Sequence, residues 1–352
     1  MVNRLLDSLR LTKEKDIMGV DIGATSIKIC LLKKGKDGRF TLSGMAQRSY
    51  EEDLLHDGNI IDRAFIAREL KSMAASSAIR TRSAASALSS YSVITKRVAM
   101  PFLEKEALEE SVRLEVENII PFPLKEIYYS YYIMGMDEEK ENMMNLLVVA
   151  AKKEIVEGYM EAFDLAGLDL AVLDVDIFAV TNLVEQIYRP KGFSVLAADV
   201  GASVTNIAIM KELNIEFTRE ILIGGKYVTG EIAKQQKVDY KEAEERKLRG
   251  SDDVAEFLRD FVSNVSSEIN KTVNFYVATK PRETVGKIYL TGGSSRVSGL
   301  KGQIEKETGI EVEFLDPFLF VASGGTAEAE MDEDRKFSAP VALYLSARRD
   351  ES

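Results

Sequence analysis

Two short stretches of this chain place a carboxylate beside glycine and hydroxyl residues inside apolar runs. In the first, Asp21 is followed by Gly23, Thr25, Ser26 and Lys28; in the second, Asp199 is followed by Gly201, Ser203 and Thr205. The first stretch reads as a strand over 17–21, a tight reversal, and a second strand over 26–32 returning antiparallel beside it. Such a reversal aims backbone N–H groups into one concavity. Gly23 lets an anion come close to the chain, Lys28 supplies a point charge, and Asp21 at the strand end can hold a water of a Mg²⁺ ion. A hairpin that uses Gly, Ser and Thr for conformational reasons alone has the same pattern. The second copy, over 196–209, raises the weight of the chemical reading, because it implies two related domains facing each other across a cleft. A third element, 287–300, reads as a strand, a turn at Gly292, Gly293 and Ser294, and a helix start, where backbone can pass close to a flat ligand such as a nucleoside.

These turns need sheets behind them, and the chain has material for two. Its 352 residues, 45% of them apolar, can bury two cores. A third strand over 39–49 extends the first sheet. Asp62 then caps a helix running to about Ser77 with Phe65, Ile66, Leu70 and Met73 on its apolar face, and the chain returns as a strand over 83–88. The next block departs from that plan: a strand over 91–101, a Glu-rich helix over 104–119, strands over 128–136 and 143–151, and a helix over 152–166. Pro121 and Pro123 bracket Phe122 at its joint, which fits either a helix stop with a buried ring or a docking corner.

The formal net charge of −11 provides no basic field for phosphate backbones, which argues against nucleic acid as a partner. Cys30 is alone in the sequence and cannot pair within the chain, in keeping with a cytosolic compartment. His56 is the single histidine and lies in a polar run, so neither a His-based triad nor a multi-His metal site is expected. No apolar run approaches the ~20 residues of a spanning helix. Residues 1–16 carry charges throughout and read as a frayed lead-in to the first strand, with a short amphipathic turn as the alternative.

The three turn elements stand in order at spacings of about 180 and 90 residues, and in this they resemble the phosphate-1, phosphate-2 and adenosine motifs of the actin-like ATPase superfamily. Arg97, Met100 and Pro101, followed by Glu106, Arg113, Glu117, the 120–126 corner and Tyr129, narrow the likeness. Here the chain is similar to the type IV pilus assembly protein PilM family, relatives of the cell-division protein FtsA. The likeness continues through 223–229 and 243–247 and ends in a closing helix over 339–348.

The resemblance implies an α/β chain with the actin-like (ribonuclease H-like) two-domain ATPase fold and an inserted strand-helix-strand-strand subdomain. Residues 1–91 and 167–195 would form the first domain, 92–166 the insertion, 196–321 the second domain, and 322–352 a closing helix returning to the first. It implies ATP and Mg²⁺ as cofactors, with Asp21 and Asp199 holding the metal through water. Gly23, Thr25, Ser26 and Lys28 match phosphate-1, Gly201, Ser203 and Thr205 match phosphate-2, and Gly292, Gly293 and Ser294 match the adenosine motif. Glu244 and Lys247 match a pair that borders the nucleoside in relatives, although a solvated helical face in a Glu/Lys-rich stretch fits them equally. Asp176 stands where the family often has Glu, as the candidate water-orienting carboxylate. Being one bond shorter, by about 1.5 Å, it implies slow turnover, as does Ala202 where hydrolysing relatives carry a polar residue.

The implied partners are the cytoplasmic N-terminal tail of PilN and other pilus platform proteins, with peripheral placement at the inner membrane through them; self-association is compatible with this. An FtsA-like filament-forming division ATPase and a sugar or acetate kinase on the same fold are the alternatives. The sequence after Arg348 has no apolar face of the kind FtsA relatives use at the membrane, and no kinase base or substrate pocket stands out.

Overall fold

A computed structural model describes residues 16–137, 140–212, 214–250, 252–322 and 333–348. The expectations for the lead-in over 1–15 and for the sequence after Arg348 lie outside the described residues.

The first sheet is built around β1 (Met18–Ile22), which runs between two neighbours with both faces covered and is apolar almost throughout. It turns antiparallel into β2 (Ser26–Lys34), which pairs with β3 (Phe40–Ser49). A small ribbon of β4 (Leu55–His56) and β5 (Asn59–Ile60) leads to α1 (Arg63–Ser76). Asp62 caps α1 as expected, accepting from the Phe65 amide at 2.8 Å, and Ile66, Leu70 and Met73 are buried. On its other side β1 runs parallel to β6 (Ser83–Leu88), and β6 to β10 (Asp169–Val175), giving the order β10-β6-β1-β2-β3.

The insertion forms its own antiparallel sheet, β7-β9-β8, from β7 (Val93–Pro101), β8 (Ile127–Met136) and β9 (Met143–Lys152). α2 (Lys105–Ile119) covers one face with Leu108, Val112 and Val116. The Phe122 ring is half-buried against this core, with the Lys152 ammonium 4.9 Å above it. α3 (Lys153–Leu165) leaves β9 and packs with α1 on the outer face of the first sheet.

The second sheet repeats the first. β11 (Ser194–Val200) turns antiparallel into β12 (Thr205–Lys211) and β13 (Asn214–Ile221), and runs parallel to β14 (Val285–Thr291), which pairs with β15 (Val312–Phe314). Its outer face is covered by α5 (Gly225–Gln236), α6 (Tyr240–Arg249), α7 (Ala255–Thr279) and α8 (Leu300–Thr308).

Between the two sheets lie α4 (Asp176–Tyr188) and, after α9 (Glu333–Ser338), the closing helix α10 (Pro340–Ala347). The alternation of strand residues shows this: Val195 and Ala197 of β11 belong to the shared core, whereas Leu196, Ala198 and Val200 face α5–α8. Asp199 shares the parity of Val195 and Ala197, and Asp21 that of Ile17, so both carboxylates sit at strand ends on the faces turned toward the layer between the sheets. α10 approaches β1 so closely that a Cβ on Gly19 would lie 1.9 Å from the Ala342 carbonyl oxygen. Ser346 fixes the contact: its hydroxyl accepts from the Leu32 amide at 2.8 Å and donates to the Ile17 carbonyl at 2.6 Å.

Candidate functional site

The two hairpin turns are held from behind in the same way. In the first, the carbonyls of Ala24 and Thr25 accept from the amides of Leu54 and Tyr50 at 2.8 and 2.7 Å. In the second, those of Gly201 and Ala202 accept from Gly225 and Lys226, the first amides of α5, at 3.1 and 2.8 Å. With the carbonyls tied down, the turns have their N–H groups to offer, and those of Ala24, Thr25, Ala202 and Ser203 have no backbone partner among the described residues.

The carboxylates differ in their company. Asp21 lies opposite Lys28 in the β1–β2 register, and the Lys28 Nζ sits 2.9 Å from Asp21 Oδ2. Asp199 lies opposite Asn206 in the β11–β12 register. Asn206 turns away to donate through Nδ2 to Asp176 Oδ2 at 2.9 Å. Asp199 keeps some solvent contact at the cleft floor but is otherwise enclosed by protein. Burial pushes its carboxyl up to about 6, the nearby Asp21 charge adding to the shift and Lys28 opposing it.

Asp176, the first residue of α4, is held by several donors. Its Oδ1 accepts from the Ser90 amide at 3.0 Å, from the Ser90 hydroxyl, and from the Ile177 amide at 2.6 Å. Ser90 follows β6 in the first domain and Asn206 belongs to the second, so this carboxylate joins the two across the cleft floor. Burial pushes it up to about 7, the Ser90 hydroxyl working against the shift and the Asp199 charge with it.

The third element closes against Asp199. Gly292 has φ +88°, and a Cβ there would lie 2.3 Å from Asp199 Oδ1 and 2.5 Å from the Val200 carbonyl oxygen, so only glycine fits. Gly293 has open space around its Cα, while Ser294 is buried with its hydroxyl against Gly225, where an added Cβ would meet it at 2.1 Å. Lys247 is 1% exposed and donates to Glu244 Oε2 at 2.7 Å and Thr229 Oγ1 at 3.0 Å. Burial lowers its pKa, with Glu244 opposing the shift. The pair is therefore no solvated helical face: α6 packs on α5, and Lys247 reaches the Gly225 carbonyl at 3.3 Å beside the second hairpin's support.

The structure thus pairs Asp21 with Lys28, sets Gly292 against Asp199 and ties Asp176 to Asn206, while Ser294, Glu244 and Lys247 meet behind them at Gly225 and Thr229; Gly23 and Ser26 lie in the first turn, where a Cβ on Gly23 would lie 3.1 Å from Lys28 Nζ. Ser203 is exposed at the tip of the second turn. The Thr205 hydroxyl points elsewhere, donating to the Ile223 carbonyl at 2.8 Å and bracing the approach to α5. Sequence reasoning missed Asn206, although it stands as far from Asp199 as Lys28 does from Asp21, seven residues. It also missed Ser90, which no local pattern marks. Two facing carboxylates, one lysine, unmatched turn amides and a glycine with no room for a side chain make a donor set that fits a hydrated divalent cation and a phosphate chain.

Comparison with known proteins places this architecture. A family model described as "Type IV pilus assembly protein PilM" matches residues 19–349. A solved structure described as "PilM-PilN type IV pilus biogenesis complex" is 27% identical, covers 96% of this chain and 99% of its own, and superposes with a TM-score of 0.84. The ethanolamine utilization protein EutJ from Carboxydothermus hydrogenoformans is 15% identical over 98% of this chain and 95% of its own, with a TM-score of 0.56, a likeness of fold alone. The fold is the actin-like one, carrying an inserted three-stranded subdomain.

Proposed function

The chain belongs to the type IV pilus assembly protein PilM family and is a type IV pilus assembly component; from that premise we propose that it is a nucleotide-responsive part of the inner-membrane assembly platform. ATP with Mg²⁺ sits in the cleft, and the cytoplasmic N-terminal tail of PilN lies extended on the insertion. One observation carries the nucleotide half. The paired hairpins bring Asp21 and Asp199 close enough for one charge to raise the other's proton affinity, an arrangement that a divalent cation relieves. Mg²⁺ would be held through water by those two carboxylates and would neutralise the phosphate charge. Gly23, Thr25, Ser26, Lys28, Gly201 and Ser203 would cradle the phosphates. Gly292, Gly293, Ser294, Glu244 and Lys247 would border the nucleoside.

Asp176 already accepts from Ser90, Ile177 and Asn206, so its part is to hold the domains together when the cleft is closed rather than to take a proton from water. Bound nucleotide then acts by favouring the closed cleft.

The partner half is supported by β8, an edge strand of the insertion rich in tyrosine, beside the Pro121-Phe122-Pro123 corner. Among the described residues no helix is long and apolar enough to cross a membrane, so the proposed contact with the inner membrane runs through partners. Hydrogen exchange on the full chain separates the two halves. Mg-ATP should slow exchange in both hairpin turns, and a PilN N-terminal peptide should slow it along β8. Protection of neither turn by Mg-ATP would contradict the first half, and peptide protection confined to other strands would contradict the second.

A further inference from the structure

Lys226 and Asp53 lie outside the phosphate and nucleoside residues, yet each stands beside a brace of one hairpin turn. In the first domain Tyr50 and Leu54, whose amides hold the first turn, are both anchored: the Tyr50 hydroxyl donates to Glu69 Oε2 at 2.8 Å, and Leu54 is buried in the outer core. The residues between them, Glu51, Glu52 and Asp53, are acidic and exposed. In the second domain Lys226 lies in the first turn of α5, and its own amide holds the second turn. The Lys226 Nζ donates to Asp53 Oδ1, so one ion pair joins the supports of the two turns across the cleft. A cation is disfavoured at that end of a helix, so Lys226 stands there against local preference, and its partner comes from the other domain. The domains also meet at Asp176, through Ser90 and Asn206, both buried. The Lys226 and Asp53 side chains are instead 31% and 43% exposed, and an ion pair so wetted adds little to stability and is screened by salt. Of the two ties, the exposed one opens first.

We propose that the Lys226–Asp53 pair is a strap across the cleft: nucleotide enters and leaves the space between the two hairpin turns only while the pair is broken. This rests on the nucleotide reading of the cleft. It adds to that reading two residues that touch no part of the ligand and set the rate of exchange, leaving the affinity to the turns. The supports on either side are fixed, Tyr50 by Glu69 and α5 by the Thr229 bond to Glu244 of α6. Breaking the pair therefore frees one domain to move from the other without reshaping either turn.

Lys226→Met keeps the bracing amide and the aliphatic stem and removes only the charge. Stopped-flow fluorescence with Mg²⁺ and mant-ATP, an analogue labelled on the ribose, gives its association rate and, on chasing with excess Mg-ATP, its dissociation rate. At low salt both rates should rise by about 3- to 5-fold in the variant, the worth of one exposed ion pair, with Kd held within a factor of about 2. Added salt should quicken exchange in the wild type and do less in the variant. Asp53→Asn should reproduce both changes, and the melting temperatures should stay near that of the wild type. An unchanged dissociation rate in either variant overturns the assignment. So does faster dissociation with unchanged association, which would make the ammonium a contact of the ligand. A wild type that does not bind the analogue sinks the nucleotide reading and this inference with it, a failure visible without any variant.

Discussion

The β1–β2 and β11–β12 hairpins share strand order, register and the way their turns are braced, yet they treat their carboxylates in opposite ways. Asp21 has its counter-charge in hand, Lys28 at 2.9 Å. At the equivalent place opposite Asp199 stands Asn206, which is neutral and turned toward Asp176. One hairpin thus keeps its own charge balanced. The other gives Asp199 no lysine of its own and uses the partner position to tie the two domains. The difference teaches that a duplicated unit can divide its labour at a single register position. The first copy sets a lysine against its carboxylate, and the second couples its turn to the interdomain carboxylate.

The largest break in this comparison should come from Gly292→Ala. Its Cβ would strike Asp199 Oδ1 from a backbone at φ +88°, a loss on the order of 3 kcal/mol in stability that chemical denaturation would register. No counterpart is expected at Gly293, which has open space around its Cα. Next comes Asn206→Lys, which makes the second hairpin resemble the first. The new ammonium should pair with Asp199, while Asp176 loses a buried donor, and stability should drop by about 1–2 kcal/mol. A variant as stable as the wild type would mean that the Asn206–Asp176 bond ties nothing.

The smallest effect is on pH dependence. Folded Asp199 and Asp176 hold protons that the unfolded chain releases near pH 4, so their stabilising contribution is full below about 4 and is lost as pH rises through 6 to 7. Each proton allows a slope of at most about 1.4 kcal/mol per pH unit. Melting curves of the ligand-free protein should show the slope, Asp199→Asn should flatten its lower part, and Asp21→Asn should flatten it less. Equal flattening by both variants would erase the asymmetry.

Much of this was legible because it is local. The strand, turn and strand around Asp21 and Asp199 are contiguous, and the apolar alternation that sets their parity is written in the same few residues. The Asp62 cap needed three residues of sequence. Asn206 was within reach of counting, since each partner stands seven residues beyond its aspartate. Ser90 was not, because its partner Asp176 comes 86 residues later, beyond the insertion and at the start of α4. Glu244 and Lys247 fit a nucleoside border and a solvated Glu/Lys face equally until α6 is seen to lie on α5, which buries the ammonium against Thr229 and the Gly225 carbonyl. Phe122 depended likewise on which core its corner faces.

Calorimetric titration of Mg-ATP into the wild type and Asp199→Ala puts the paired carboxylates to the test, because among the described residues Asp199 has no ion-pair partner of its own, Lys28 being bound to Asp21. The account predicts binding by the wild type and a loss of about 1–3 kcal/mol in the variant, with its melting temperature kept or raised once the buried charge is gone. Equal affinity in the two proteins would contradict it.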